Sequence, residues 1–415
     1  MARSGSGMTP IRRFFSNLTM KPQGITLVAA GFLPIFAIVS MFPIVAAMIQ
    51  HFRTDPDAAT KVPMMVTAPG LTIAILAPFA GFFVDRFGRR RLLLFCTFFY
   101  GVFGTAPFFL DDLDHIFASR LALGVCEAGI LTIVNTLIAD YWDEKGRHNW
   151  LFLQGLVGPF LASGVILLSG LVASVRWNGG FLVYLVAFPI YFAMLACLYE
   201  PKRSGQDQEA EKTAKPLAGE QRRPFPLGHA LAVAAMTFFS AALYYVFIVN
   251  GSIAFGEVGV SDPAAVSKIT FLPSLFVMLG AVIFRVMASR PNAVQLGTFL
   301  FILGSGLAII GLARTPAEMV VGLAIQQTGA GMTVPTLIAW AQTRFPFEHR
   351  GTGMGIWTGA FFFGQFASPW FVHKFNLASG TMQGAFLLAG SLALAVMIGI
   401  FALFASGRAR RPELA

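Results

Sequence analysis

The sequence predicts an all-α membrane protein whose chain crosses the bilayer twelve times. Of its 415 residues, 56% are hydrophobic and only 12% are charged. The apolar residues fall into repeated runs of about 20, the length that spans a hydrocarbon core, whereas a soluble domain would not repeat such runs. The runs cover residues 24–49, 62–84, 92–110, 116–141, 149–173, 179–199, 228–253, 266–287, 293–312, 317–342, 352–372 and 383–405.

Lysine and arginine are distributed unequally between the loops. Twenty-three lie on the side that holds both termini, five lie on the other side, and Arg120 and Lys268 fall within helices or at their edges. The positive-inside rule therefore predicts cytoplasmic termini in a cell inner membrane. The formal net charge of +10 reflects this orientation, so no nucleic-acid partner is expected.

A charged segment divides the chain into two parts. Of the 24 residues from Glu200 to Arg223, 11 are charged, a composition that cannot form a packed core. We therefore predict an N-terminal six-helix bundle, a cytoplasmic charged linker and a C-terminal six-helix bundle over residues 1–199, 200–227 and 228–415.

The two bundles are related by an internal repeat. EAGILTIVNTLIA, residues 127–139, aligns without gaps to QTGAGMTVPTLIA, residues 327–339. Six helices per copy make the copies parallel, related by an axis along the membrane normal. Glu127 in one copy therefore corresponds to Gln327 in the other.

The fourth run carries two charged residues, Arg120 and Glu127. Glu127 falls near the bilayer midplane, and a separation of nearly two helical turns places both side chains on one face, about 10 Å apart. Loss of hydration favours the protonated carboxyl, whereas a nearby cation favours the ionised one. Two interpretations stay open: Glu127, assisted by Arg120, carries a coupling proton, or the two form a structural pair.

A motif follows the second run, in GFFVDRFGRRR. It matches the Gly-x-x-x-Asp-Arg/Lys-x-Gly-Arg/Lys-Arg/Lys signature between helices 2 and 3 of the major facilitator superfamily through Gly81, Asp85, Arg86, Gly88, Arg89 and Arg90. The chain is thereby identified as resembling this superfamily over essentially its whole length. The resemblance implies two pseudo-symmetric six-helix bundles, and a cytoplasmic latch that stabilises the outward-facing state.

Two shorter resemblances concern the substrate. In the fifth run, Gly158-Pro159 followed by Ala162, Ser163 and Gly164 is similar to the signature of drug-proton antiporters, although Gln154 and Ala162-Ser163 stand where glycines are expected. GVCEAG around Glu127 resembles spinster-like lysolipid transporters and organic anion symporters. The first implies export of an amphipathic or drug-like molecule by proton antiport, and the second implies uptake of an organic anion or lysolipid by symport.

Polar and aromatic residues in the helices expected around the central cavity are candidate substrate contacts. The superfamily resemblance implies that helices 1, 4, 7 and 10 line this cavity, near the midplane. The candidates are Gln327, Gln326, Asn135, Gln154, Tyr244, Tyr245, Asn250, Trp357 and Gln365.

Other function classes have no matching pattern. The sequence lacks a Gly-x-x-x-x-Gly-Lys-Ser/Thr loop for ATP, and no histidine falls in the middle of a run. The three cysteines lie in predicted helices without metal spacing. We therefore expect a proton-coupled secondary transporter that is monomeric, is not an enzyme and has no cofactor; its partners are protons, the lipid bilayer and a small molecule. A non-transporting receptor on the same fold is the remaining alternative.

Overall fold

The computed structural model describes residues 21–79, 86–201, 224–346 and 349–406, and over these ranges it contains helices and no strand. In the N-terminal half the α-helices are α1 (Pro22–Gly31), α2 (Leu33–Val39), α3 (Val45–His51), α4 (Ala58–Leu76), α5 (Arg89–Thr105), α6 (Leu113–Tyr141), α7 (Glu144–Ala173) and α8 (Ala187–Cys197). In the C-terminal half they are α9 (Leu227–Glu257), α10 (Pro263–Ser274), α11 (Val277–Val286), α12 (Asn292–Leu312), α13 (Pro316–Arg344), α14 (Arg350–Ser379) and α15 (Met382–Ala405). Short 3₁₀ segments lie at Phe42–Ile44, Ala77–Phe79, Ala106–Phe109 and Gly179–Val186. The prediction of an all-α membrane protein is confirmed.

Ten helical segments of the described ranges are long and apolar enough to cross a membrane. The first and eighth predicted runs are interrupted helices, Pro22–His51 and Pro263–Val286. The tenth and eleventh runs form α13 and α14, which have 29 and 30 residues, but their polar and charged residues lower their mean hydropathy. Each predicted run thus has a helical counterpart, while a full count of twelve crossings stays a prediction.

Side-chain caps fix the start of several helices. An aspartate or threonine before the helix accepts the backbone N–H three residues later, at Asp112, Asp143, Asp262, Thr315 and Thr381. Each cap satisfies a donor that the first helical turn leaves unpaired. At Asp112 the bonds from the backbone N–H and the ring of His115 hold the pKa of the carboxyl below its ordinary value.

A Cβ atom on Gly24 would meet Trp150, and Arg89 pairs with Asp140, so the starts of α1, α5 and α7 and the end of α6 lie at one face of the bundle. We call it the terminal face and the opposite one the distal face. Most of the predicted linker, residues 202–223, falls outside the described ranges, as do Gly81 and Asp85 of the predicted latch.

The described part of the predicted latch packs within the N-terminal half. Gly88 has φ +83° and leads into α5, where the backbone N–H groups of Arg89 and Arg90 donate to the Glu200 carboxylate at 2.7 and 2.9 Å. The Arg89 guanidinium pairs with Asp140 at the end of α6. These contacts join α5 to α6 and to the segment after α8.

Two seams join the halves. In the first seam α14 packs along α4, and in the second seam α10 packs on α7. Further contacts lie at the distal face, where α3 and the Phe42–Ile44 turn meet α9. The space that these seams leave open lies between the two halves.

Candidate functional site

A cavity of about 960 Å³ lies between the two halves. Its walls are mainly apolar, and the polar groups among the lining residues are Gln154, Ser163, Tyr244, Thr270, Ser274 and Gln327. None of the described residues that line it is charged or a histidine. A space of this size with a few polar groups in apolar walls suits an organic molecule that is itself mostly apolar.

The cavity is displaced from the centre of the bundle towards the second seam. It is lined by the first span, α7, α9, α10, the start of α11, and α13, but α4, α6 and α14 supply no lining residue among those described. The expectation that the fourth predicted helix would line it therefore differs from the structure, where α7 and α10 take that place.

Two aromatic rings close the distal end of this cavity. Phe42 lies on the 3₁₀ turn that contains Pro43, and its ring stacks on Phe247 of α9 with centroids 5.2 Å apart. A Cβ atom on Gly251 would lie 2.8 Å from both rings. The stack joins the halves at the distal face.

Three of the predicted cavity residues line this space: Gln154 on α7, Tyr244 on α9 and Gln327 on α13. The two amides come from opposite halves. Amide groups both donate and accept hydrogen bonds, so this pair offers polar contacts to a ligand without requiring it to carry a charge.

The other six predicted cavity residues are not among those that line it. Asn135 and Asn250 donate to carbonyl groups of their own helices, at 3.1 and 3.2 Å. Gln365 lies against Gly70 in the first seam. The remaining three are buried: Gln326 without a partner for either amide atom, and Tyr245 and Trp357 against Phe361.

Glu127 lies at the middle of α6 and is only 3% exposed. Its Oε1 atom has no hydrogen-bond partner. The carboxyl is close enough to interact electrostatically with the hydroxyl groups of Tyr100 and Tyr184 in its own half and Tyr245 in the other. Among the described residues no cation forms an ion pair with it, and Arg120 acts on it only electrostatically from farther away, so an ionised carboxylate here would be poorly compensated.

Arg120 does not pair with Glu127. Among the described residues no carboxylate lies within 4 Å of its guanidinium, which instead donates to the Tyr184 hydroxyl and to the carbonyl groups of Phe103 and Gly104, each at 2.9 Å. The Phe103 carbonyl is available because its normal helical donor would be the N–H of residue 107, a proline. The rings of Tyr184 and Phe181 cover the guanidinium at 4.9 and 5.2 Å.

Two tyrosines link this region to the first span. Tyr100 donates to the Leu33 carbonyl at 2.5 Å, and Tyr184 donates to the Ala37 carbonyl at 2.7 Å. Both carbonyls belong to α2, whose residues Ile35 and Val39 line the cavity. The first span therefore lines the cavity and also accepts hydrogen bonds from two tyrosines that interact with Glu127.

The sequence prediction did not include most of the cavity wall. The lining residues on α7 include Gly155, Gly158, Pro159, Ala162 and Ser163. The run of small residues was the available signal, but in membrane helices such a run also arises wherever two helices pack closely. The neighbouring residues in the sequence do not indicate that this run faces a cavity.

Comparison with known proteins places the chain in a family. The family model described as Major Facilitator Superfamily matches residues 27–369. The chain belongs to this superfamily. It is a multi-pass membrane protein of this superfamily, as the motif around Arg86 predicted.

Curated relatives match over shorter segments. Multidrug resistance protein 1 of Bacillus subtilis (strain 168) is 30% identical over 161 residues, 37% of this chain and 39% of that protein. Solute carrier family 22 member 22 of Mus musculus is 29% identical over 149 residues, 35% of this chain and 26% of that protein. The matched segments thus span well under half of either relative.

Solved structures share the fold over most of the chain. The nucleoside transporter NupG superimposes with a TM-score of 0.73 over 92% of this chain and 100% of its own, at 12% sequence identity. Similarity at this identity concerns the architecture alone.

Proposed function

We propose that this transporter exports a neutral or cationic amphipathic molecule by proton antiport. The observation that carries the proposal is the cavity: apolar walls, one amide from each half, and no charged residue among the described lining. The similarity to a multidrug resistance protein supports export of drug-like molecules. The protein acts as a monomer in an inner membrane with cytoplasmic termini, and the latch residues, Gly81 and Asp85 included, stabilise its outward-facing state.

The character of the cavity favours this substrate class over an organic anion. A bound anion would be stabilised by a lysine or arginine in the wall, and none stands among the described lining residues. Arg120, the candidate anion contact, lies outside the cavity and is 1% exposed, and its Nη1 and Nη2 groups donate to a tyrosine and two carbonyls. Uptake of a lysolipid-like amphiphile by symport stays the alternative.

Glu127 is the proposed proton carrier, and α2 is the proposed link to the substrate. When Glu127 loses its proton, the carboxylate competes with the carbonyls of Leu33 and Ala37 for the hydroxyl protons of Tyr100 and Tyr184. Weakening those bonds changes the position of α2, which lines the cavity on its other face. Substrate and proton thereby act on the same helix without sharing a site.

Transport by purified protein in proteoliposomes tests this proposal. With tetraphenylphosphonium as the probe, we expect a pH gradient to drive its accumulation, and Glu127→Gln to abolish that accumulation while leaving probe exchange without a gradient intact. Asp114→Asn is the matched control, because this carboxylate lies at the distal face with its side chain 78% exposed. Full gradient-driven transport by Glu127→Gln would exclude Glu127 as the carrier.

The direction of coupling follows from binding at two pH values. An exporter that exchanges substrate for protons should be stabilised more by tetraphenylphosphonium at about pH 8 than at about pH 5.5, since ligand and proton compete. The opposite order would establish symport. Absence of movement of any probe, with binding retained, would favour a receptor.

A further inference from the structure

The two seams between the halves are packed over different lengths. In the first seam, contacts run from the distal to the terminal end: Thr60 contacts His373, Thr67 donates to the Phe366 carbonyl, and a Cβ atom on Gly70 would lie 2.9 Å from the Phe362 carbonyl oxygen. The Ala77–Phe79 turn continues the contact with α14. This seam is closed through most of the membrane.

In the second seam, contacts are confined to the distal part. Gly170 lies against Ser267 and the Pro263 carbonyl, and the Ser163 and Ser274 hydroxyls are 2.5 Å apart. Continued by two helical turns, the same register would place Leu156 opposite Ala281. The described structure has instead a change of main partner after Ser274: α11 packs mainly on α13, and far less on α7 than α10 does.

A break in the eighth span explains the change. The helix is interrupted at Leu275 and Phe276, just after Pro273, which has no N–H to donate. Beyond the break, α11 is held against α13 by two glycines: Cβ atoms on Gly280 and Gly331 would collide with the carbonyl oxygens of Thr328 and Val277. Only glycine permits this backbone approach.

The resulting opening meets the cavity. Leu151 and Gly155 of α7 and Val277 of α11 line the cavity, and a Cβ atom on Gly155 would have no heavy atom within 4 Å. Along the seam, Leu156 and Val282 are 42% and 56% exposed. An apolar opening at membrane depth accommodates hydrocarbon more readily than water.

We propose that the space between α7 and α11 is a lateral portal, through which the cavity takes an amphiphile directly from the membrane leaflet at the terminal face. The ligand is a single-chain or similarly slender amphiphile whose apolar tail lies in the portal, while its polar end reaches Gln154 and Gln327. This inference rests on the proposed function, because it assumes that the cavity is the substrate site.

The first test asks what fills the portal and needs no substrate. Nitroxide spin labels are attached at Leu156→Cys and, as a lipid-facing reference on the same helix, at Leu168→Cys, with Cys197 replaced by serine. In proteoliposomes we expect both labels to collide readily with oxygen, which concentrates in lipid, and rarely with a water-soluble nickel chelate. Collision of the Leu156 label mainly with the chelate, or with neither reagent, would overturn the portal.

The second test asks whether ligands use the portal. Ala281→Trp adds bulk on its α11 side without being a cavity residue, and Leu168→Trp is the matched control. In nanodiscs we expect Ala281→Trp to slow the association of dodecyltriphenylphosphonium by about tenfold and to leave the association of methyltriphenylphosphonium unchanged. We expect Leu168→Trp to change neither rate. Unchanged association of the long-chain probe, or equal slowing of both, would overturn the inference. Failure of the proposed function can be distinguished from failure of the portal. In that case gradient-driven transport would be absent, while the Leu156 label would still collide mainly with oxygen.

Discussion

The first seam, α4 with α14, is packed through most of the membrane, whereas the second seam, α7 with α10, is packed only at its distal end. Both consist of antiparallel helices from opposite halves, and both use small residues for close approach. They differ because α14 is one unbroken helix of 30 residues, while the eighth span breaks after Pro273. The break determines the side to which the cavity is displaced and the side from which a ligand reaches it.

The largest expected effect of disturbing this arrangement is at Gly280. Its added Cβ would meet the backbone of α13 at Thr328, which no rotamer change can avoid. We expect Gly280→Ala to lower the free energy of unfolding by about 3 kcal/mol or more, measured by denaturant titration in mixed micelles. It should also release α11 from α13 and allow it to move towards α7, and so decrease the collision of the Leu156→Cys label with oxygen.

Gly355→Ala is the matched control, because a Cβ atom there has no neighbour within 4 Å. We expect it to be neutral or to stabilise the helix by about 0.5–1 kcal/mol. Similar losses at Gly280 and Gly355 would mean that the α11–α13 contact does not hold the opening.

An intermediate effect is expected in the packed seam, at Gly70. A Cβ atom there would lie 2.9 Å from the Phe362 carbonyl oxygen and 3.0 Å from the Gln365 side chain, which can shift. We expect Gly70→Ala to lower the free energy of unfolding by about 1–2 kcal/mol. The equivalent test of the open seam is Gly155→Ala, which should leave the free energy of unfolding unchanged. Equal losses of this free energy at Gly70 and Gly155 would contradict the difference between the seams.

The smallest effect is expected at the distal end of the second seam. Ser163→Ala removes one of two hydroxyls that lie 2.5 Å apart, and we expect a loss of about 0.5–1.5 kcal/mol. A double-mutant cycle with Ser274→Ala isolates the interaction. Ser174→Ala, whose exposed hydroxyl bonds only to the Leu171 carbonyl of its own helix, should have no effect, and zero coupling between Ser163 and Ser274 would show that this contact does not hold the seam.

The helical architecture could be predicted from the sequence because each span carries its own apolar run. The family followed from the motif around Arg86 and Gly88, which stands in one continuous stretch. Three of nine predicted cavity residues line the cavity, namely Gln154, Tyr244 and Gln327. These three were predicted because they are polar or aromatic residues in helices expected around the cavity.

The position of the other candidate residues and the opening of the second seam could not be predicted, because they depend on pairs of residues far apart in the chain. Gln365 is as polar as Gln327, yet it faces the first seam because Gly70, almost 300 residues earlier, leaves room for it. The second seam opens because Gly280 and Gly331 meet across two spans. Likewise, the spacing of Arg120 and Glu127 indicated a shared face, but Arg120 also bonds the Phe103 carbonyl, which Pro107 in the 3₁₀ turn after α5 leaves without its helical donor.

The bond from Arg120 to the Phe103 carbonyl also has a consequence for biosynthesis. Pro107 leaves that carbonyl without its helical donor, and α5 cannot supply another from its own residues. A single α5 inserted into lipid would therefore carry an unsatisfied acceptor, and a single α6 would carry an uncompensated guanidinium, each at a cost of several kcal/mol. We expect the two helices to enter the bilayer together as a hairpin, so that each supplies what the other lacks at the moment of insertion.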